Sequence, residues 1–131
     1  MKIGVPREIK KQEHRVALLP ATAYQLKKRG HEVLVERGAG GGCGYPDADY
    51  EAAGATMVDT HAAAFDADLV VKVKEPQPEE IPLLRRDQIL FTYLHLAADK
   101  TLAESLMKSG VTGLAYETIE INRRLPLLEP M

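Results

Sequence analysis

The chain has 131 residues, of which 45% are hydrophobic and 27% charged, with 17 basic against 19 acidic side chains and a formal net charge of -2. By length this is one domain with enough chain to bury a real core. The near-neutral balance, with no basic stripe interleaved with aromatics, argues against a nucleic-acid surface, and the longest apolar runs are far too short to span a bilayer. Cys43 is the single cysteine and has no internal disulfide partner; the opening Met1-Lys2-Ile3-Gly4 enters a strand-like run with no signal-peptide core, so a reducing cytoplasm is expected.

In chain order, Ile3 to Val5 reads as the first strand. Pro20 to Arg29 reads as a helix, with proline suited to the first turn, Lys27, Lys28 and Arg29 to the last, and Gly30 to a left-handed cap. Val33 to Val35 follows as a strand. Gly38-Ala-Gly-Gly-Gly-Cys-Gly44 then invites a dinucleotide reading, but the third small residue of Gly-x-Gly-x-x-Gly/Ala would have to be Cys43, Tyr45 or Asp47. The fingerprint is absent, and a flexible turn is expected there, with Cys43 filling it.

Asp47 to Ala53 reads as a short helix closed by Gly54, and Thr56 to Val58 as a strand. The alanine-rich segment around His61 resembles a surface helix. Leu69 to Val73 and Ile89 to Leu94 are nearly continuous apolar runs, the pattern of strands buried on both faces. The connection between them, Pro76 to Pro82, is expected to be a stiff surface segment. Asp99 to Ser109 is the clearest helix, capped by Asp99 or Thr101, with Leu102 and Leu106 one turn apart and Gly110 as its stop. Val111 to Tyr116 forms the last strand. Strands alternating with helices predict an α/β domain: a mainly parallel sheet flanked by helices, a flavodoxin- or Rossmann-like three-layer arrangement without a nucleotide fingerprint.

In open parallel sheets, ligands bind beyond the carboxyl ends of the strands. Lys74, His95 and Glu117 each close a strand, and Arg15 lies in the loop after the first, so all four are expected at that edge. His31 opens a strand at the other end, which leaves His95 as the selected histidine. Each residue also has an ordinary structural reading. Lys74 could be solvated, His95 could be a satisfied core histidine between Leu94 and Leu96, and Arg15 could pair with Glu8 or Glu13. Glu117 could merely neutralise Lys74 or Arg15. Lys72 reads as an edge charge or a snorkelling stem.

Taken together, two cations and an imidazole suit a small carboxylate that exchanges a proton: arginine supplies a planar fork, lysine a point charge, and histidine a group that titrates near neutrality. Interconversion of a 2-amino acid and a 2-oxo acid fits this set. No metal-ligand spacing is present.

Gly4-Val-Pro-Arg-Glu-Ile with Arg15-Val-Ala-Leu, Val71-Lys-Val-Lys-Glu-Pro, Tyr93-Leu-His-Leu-Ala, Ala115-Tyr-Glu-Thr and Leu125-Pro-Leu-Leu-Glu-Pro-Met131 together resemble the N-terminal part of the NAD-dependent alanine dehydrogenases, in the alanine dehydrogenase/transhydrogenase family. The resemblance runs the length of the chain in the same order. It implies Arg15 and Lys74 as ligands of the substrate carboxylate and His95 as the acid/base; Tyr93, Glu117 and Met131 are the candidate supporting residues. It also implies reversible oxidative deamination of L-alanine to pyruvate and ammonia, with hydride passing to NAD. Leu19, Glu129 and His14 depart from the common pattern without removing any of these groups.

Family members continue past the methionine matching Met131 into a Rossmann domain and then return. Residues 1–131 are therefore expected to be a truncated substrate domain that binds no NAD by itself, turns over no substrate and self-associates through apolar surface left bare. Two other readings stay open: a stand-alone binding module for small 2-oxo or 2-amino acids, and a structural or engineered α/β fragment.

Overall fold

A computed structural model describes residues 1–131. Six parallel strands form one sheet in the order β3-β2-β1-β4-β5-β6, where β1 is Lys2–Val5, β2 Glu32–Glu36, β3 Thr56–Val58, β4 Leu69–Val71, β5 Ile89–Thr92 and β6 Thr112–Ala115. Sequence order reverses between β1 and β4, which makes this a doubly wound, Rossmann-like sheet with its switch point at that pair. The four helices are α1 (Pro20–Lys28), α2 (Asp47–Ala52), α3 (His61–Phe65) and α4 (Lys100–Ser109).

Local signals place the helix ends. Pro20 opens α1, whose orphan first amide needs no partner, and Gly30 ends the turn at φ 91°. The Asp99 carboxylate accepts the Leu102 amide at 3.0 Å and so caps α4, which stops at Gly110 with φ 74°.

Two cores form on opposite faces. Val5, Val33 and Val35 pack with Ala23 of α1 and Tyr50 of α2, and the Tyr50 hydroxyl donates to the Leu18 carbonyl at 2.7 Å. Val70 and Leu90 pack on the other face with Phe65, Leu102 and Leu106. Each such fully buried aliphatic side chain contributes about 1.5–3 kcal/mol of transfer free energy. Helix α3 lies so close to β1 that a Cβ on Gly4 would sit 1.9 Å from the Ala64 carbonyl oxygen, so only glycine fits.

The layering differs from the sequence expectation at β4–β6. Over Val71 and Phe91 no helix packs, and Ala17, Leu18, Tyr116 and Leu127 instead frame an apolar depression of about 280 Å³. Ile89 and Phe91 are consequently half-buried and Leu114 on the edge strand is exposed, so the Ile89–Leu94 run is fully covered on one face only, whereas Val70 to Val73 are buried on both. Two regular strands are also shorter than their apolar runs. Beyond Val71 the Lys72 amide still donates to the Phe91 carbonyl at 3.0 Å, but the Lys74 amide leaves the ladder for the Glu8 carboxylate at 2.8 Å.

Candidate active site

Because every strand is parallel, the segments after Val5, Glu36, Val58, Val71, Thr92 and Ala115 share one edge of the sheet. Arg15, Lys74, His95 and Glu117 lie in four of those segments. Lys74 is held by its backbone on both sides: its amide donates to Glu8 Oε1 at 2.8 Å, and its carbonyl accepts the Thr92 hydroxyl at 2.9 Å. Its ammonium sits 5.1 Å from the centre of the Tyr93 ring, a cation–π distance. Tyr93 in turn stacks on His95, with ring centres 5.3 Å apart and planes inclined by 27°. Lys74, Tyr93 and His95 therefore form one contiguous group.

His95 is exposed, which removes the core-histidine reading even though Leu94 beside it is buried. Its backbone has φ 52° and ψ 40°, the left-handed region that β-carbon-bearing residues adopt at a cost of about 1–2 kcal/mol. The Glu117 carboxylate holds it there, accepting the His95 amide at 2.7 Å and the Leu94 amide at 3.2 Å. Glu117 thus does something other than neutralise Lys74 or Arg15: it fixes the direction in which the imidazole leaves the chain. A depression of about 300 Å³ is lined by Tyr93, His95, Glu117, Thr118 and Leu128. Met131 does not line it; its amide donates to the Leu128 carbonyl at 3.0 Å.

Arg15 takes Glu13, rather than Glu8, as its partner. Nε and Nη2 donate to the two Glu13 oxygens at 2.8 and 2.7 Å. Those bonds to Arg15 hold the Glu13 carboxyl at about 2, well below the usual carboxylate range, with a smaller contribution from the charge of Lys74. Arg15 and Glu13 line a polar depression of about 350 Å³ with Arg7, Lys10, His14 and Gly42. Arg15 and His95 thus face two depressions, and no one cavity is lined by Arg15, Lys74 and His95 together.

A chain of buried charges supports this edge, and the sequence reading missed it. Lys72 is only 1% exposed, so it is neither an edge charge nor a snorkelling stem; its ammonium lies 3.1 Å from Glu8 Oε2 and 3.2 Å from Glu80 Oε2. Glu80 continues to His61 Nε2 at 2.8 Å, His61 Nδ1 to Glu36 Oε2 at 2.7 Å, and that oxygen accepts the Arg7 amide at 2.7 Å. The two glutamate bonds raise His61 to about 9. Burial pushes Glu36 and Glu80 upward, but the bonds to His61, with Lys72 adding to the effect on Glu80, outweigh it and leave both lowered. Burial does prevail at Glu8, whose carboxyl is raised despite Lys72.

Two expectations are corrected here. The helix carrying His61 is not a surface helix, since Ala64 and Phe65 are buried and His61 is clamped between two carboxylates. The segment from Pro76 to Pro82 is not wholly superficial either, because Glu80 is fully buried. His61 also lies at the carboxyl edge, as does His14 in the first loop, so strand polarity alone does not single out His95. The stacking on Tyr93 and the exposure of the ring do.

The glycine-rich segment is a packed turn rather than a flexible one. Gly41–Cys43 forms a single 3₁₀ turn, and the Gly38 amide donates to Asp47 at 2.8 Å. A Cβ on Gly42 would meet the His14 carbonyl oxygen at 2.3 Å, and one on Gly40 the Tyr45 carbonyl oxygen and Tyr50 ring at 2.7 Å. The space opened by these glycines is filled by the protein's own groups. Gly40 and Gly42 let the Arg15 loop and Tyr45 lie close against this turn.

Comparison with known proteins places the chain. Residues 4–131 match the family described as alanine dehydrogenase/PNT, N-terminal domain. Over its full length the chain is 53% identical to the alanine dehydrogenase of Bacillus subtilis (strain 168), covering 35% of that protein. It is 50% identical to the alanine dehydrogenase of Mycobacterium tuberculosis (strain ATCC 25618 / H37Rv), covering 36% of it. A solved L-alanine dehydrogenase superposes with a TM-score of 0.98 over 99% of this chain and 36% of its own, at 53% identity. A transhydrogenase from Sinorhizobium meliloti superposes with a TM-score of 0.87 over 94% of this chain and 37% of its own, at 31% identity. The chain spans about a third of the length of the relatives it matches. With its strand order, its edge residues and these likenesses in agreement, the chain belongs to the alanine dehydrogenase/PNT N-terminal domain family.

Proposed function

We propose that this chain is the substrate half of an alanine dehydrogenase, acting on L-alanine and pyruvate. Arg15 and Lys74 take the substrate carboxylate, the first through its planar fork and the second as a point charge. His95 exchanges a proton at the amine or carbonyl end, from a ring whose direction is set by Glu117 and Tyr93. The observation that carries the reading is the group Lys74, Tyr93 and His95, in which a cation and an imidazole both contact one aromatic ring at the carboxyl edge.

Hydride transfer to NAD needs a nucleotide site, and the sequence carries no Gly-x-Gly-x-x-Gly/Ala fingerprint to build one. The isolated chain accordingly lacks dehydrogenase turnover, and its own part is to bind, orient and protonate. A cytoplasmic setting suits that role. The apolar depression over Val71 and Phe91 supports self-association of the chain on its own.

Calorimetry with pyruvate on the wild type and on Lys74→Ala tests the reading, with an NAD titration alongside. Pyruvate binding that is lost in the variant, with no NAD binding, is expected. Pyruvate binding unaffected by Lys74→Ala would contradict it.

A further inference from the structure

Glu13 has no part in the proposed binding step, yet it is the residue most closely engaged with Arg15. Within two residues its carboxylate accepts the Arg15 amide at 3.0 Å, Nε at 2.8 Å and Nη2 at 2.7 Å. The loop is shaped to present it: Gln12 sits in the left-handed region at φ 65°, and the Glu13 amide donates back to the Lys10 carbonyl at 3.0 Å. The Glu13 side chain is 7% exposed whereas Arg15 remains 45% exposed, so the acid is the buried member and the fork the accessible one.

A planar carboxylate seated side-on in the arginine fork is the arrangement by which arginine takes a carboxylate ligand. We propose that Glu13 is a specificity-determining residue, an internal carboxylate that occupies and neutralises Arg15 and that a substrate carboxylate must displace or outbid. This rests on the reading of Arg15 as the substrate's carboxylate ligand. Three of the five guanidinium N–H groups stay free with Glu13 in place. A ligand that approaches through them still meets a neutralised cation and a neighbouring negative charge. Displacement and end-on approach therefore give the same sign: removing the Glu13 charge tightens carboxylate binding. A Glu13 that merely braced Arg15 would give the opposite sign, since its removal would let the fork drift. Small uncharged analogues gain nothing from the change, so Glu13 sets the threshold that separates carboxylates from their amides.

The test titrates pyruvate, acetate and pyruvamide into the 131-residue chain and its variants. Amide ¹H–¹⁵N spectra report folding, and the Arg15 Nε–H cross-peak, assigned by Arg15→Ala, reports the fork. Glu13→Gln is expected to tighten pyruvate and acetate about fivefold, with a smaller gain at high salt and none for pyruvamide. In Glu13→Gln/Arg15→Ala the gain disappears. If Glu13→Gln does not fold, Glu13→Ala is read in the same way. Unchanged or weaker carboxylate binding in a folded variant overturns the proposal, as does absence of binding in every protein. Failure of the underlying reading looks different: acetate and pyruvate both gain, but pyruvate is preferred in no variant and Lys74→Ala changes nothing.

Discussion

Glu117 accepts the amide of His95 at 2.7 Å, and this one bond links the last strand to the histidine that ends the strand beside it. It explains how a non-glycine residue is kept at φ 52° on an exposed edge. Without the carboxylate the amide of His95 would turn to water, and that of buried Leu94 would lose its partner. Glu117→Ala is expected to cost about 1–3 kcal/mol in urea denaturation, through the lost bonds and the strain they restrain. The His95 ring resonances should broaden as the turn loosens.

The same geometry predicts a trade between stability and chemistry at His95 itself. The ring is exposed and its backbone is strained, so His95→Gly removes little packing and relieves the left-handed cost. Stability should stay level or rise by up to about 1 kcal/mol. The proposed contact of the imidazole with the pyruvate carbonyl should be lost, which the ¹³C shift of the bound carbonyl carbon would read as an upfield move towards the free value.

Lys72 makes the contrary case. Its ammonium is enclosed with Glu8 and Glu80, all three being almost fully buried. Lys72→Met leaves Glu8 without its cation and Glu80 with His61 as its only cation, and a loss of about 3–5 kcal/mol is expected in equilibrium unfolding. A loss below about 1 kcal/mol would mean that the carboxylates take up protons or water without penalty.

His61 gives the domain a pH dependence of definite sign. Its value rises on folding to about 9, because protonation gains two glutamate bonds. The associated stability is fully present below the unfolded value of about 6.5 and declines as pH rises through about 9. Glu36 and Glu80, which are lowered, act on the other side: their contribution holds at neutral pH and is lost on acidification. Thermal unfolding followed from pH 6 to pH 10 should show a decline that His61→Gln flattens.

Much of the fold is legible because its signals are local. Pro20, Asp99, Gly30, Gly54 and Gly110 mark helix ends by their own backbone preferences, and the strands between them follow from apolar runs of the right length. The candidate site is legible for a related reason: parallel strands send all their carboxyl ends to one edge, so Lys74, His95 and Glu117 could be grouped before any contact was known. What joins distant segments is not legible. The bond from Lys72 to Glu8 spans 64 residues, and those from His61 reach Glu36 and Glu80 from different connections. A signal did exist at Lys72, since a lysine between valines in a strand continuation needs a buried partner or a path to water. The left-handed turn at His95 had no comparable mark, because it depends on where a loop returns, whereas Glu13 was one of the two partners for Arg15 that the sequence itself offered.

The packed glycine turn supplies a further check on how the Arg15 loop is held. Gly42→Ala drives a methyl group into the His14 carbonyl, so the loop must shift. A stability loss of about 1–3 kcal/mol is expected, together with weaker pyruvate binding. Gly41→Ala, which meets nothing within 4 Å, should leave both unchanged.

The most direct measurement is a crystal structure of the chain grown with pyruvate. One pyruvate should bridge the edge, its carboxylate within hydrogen-bonding distance of Arg15 and Lys74 and its carbonyl oxygen against the His95 ring. Pyruvate bound away from this edge, or held by Arg15 in the polar depression with Lys74 and His95 out of reach, would contradict the account.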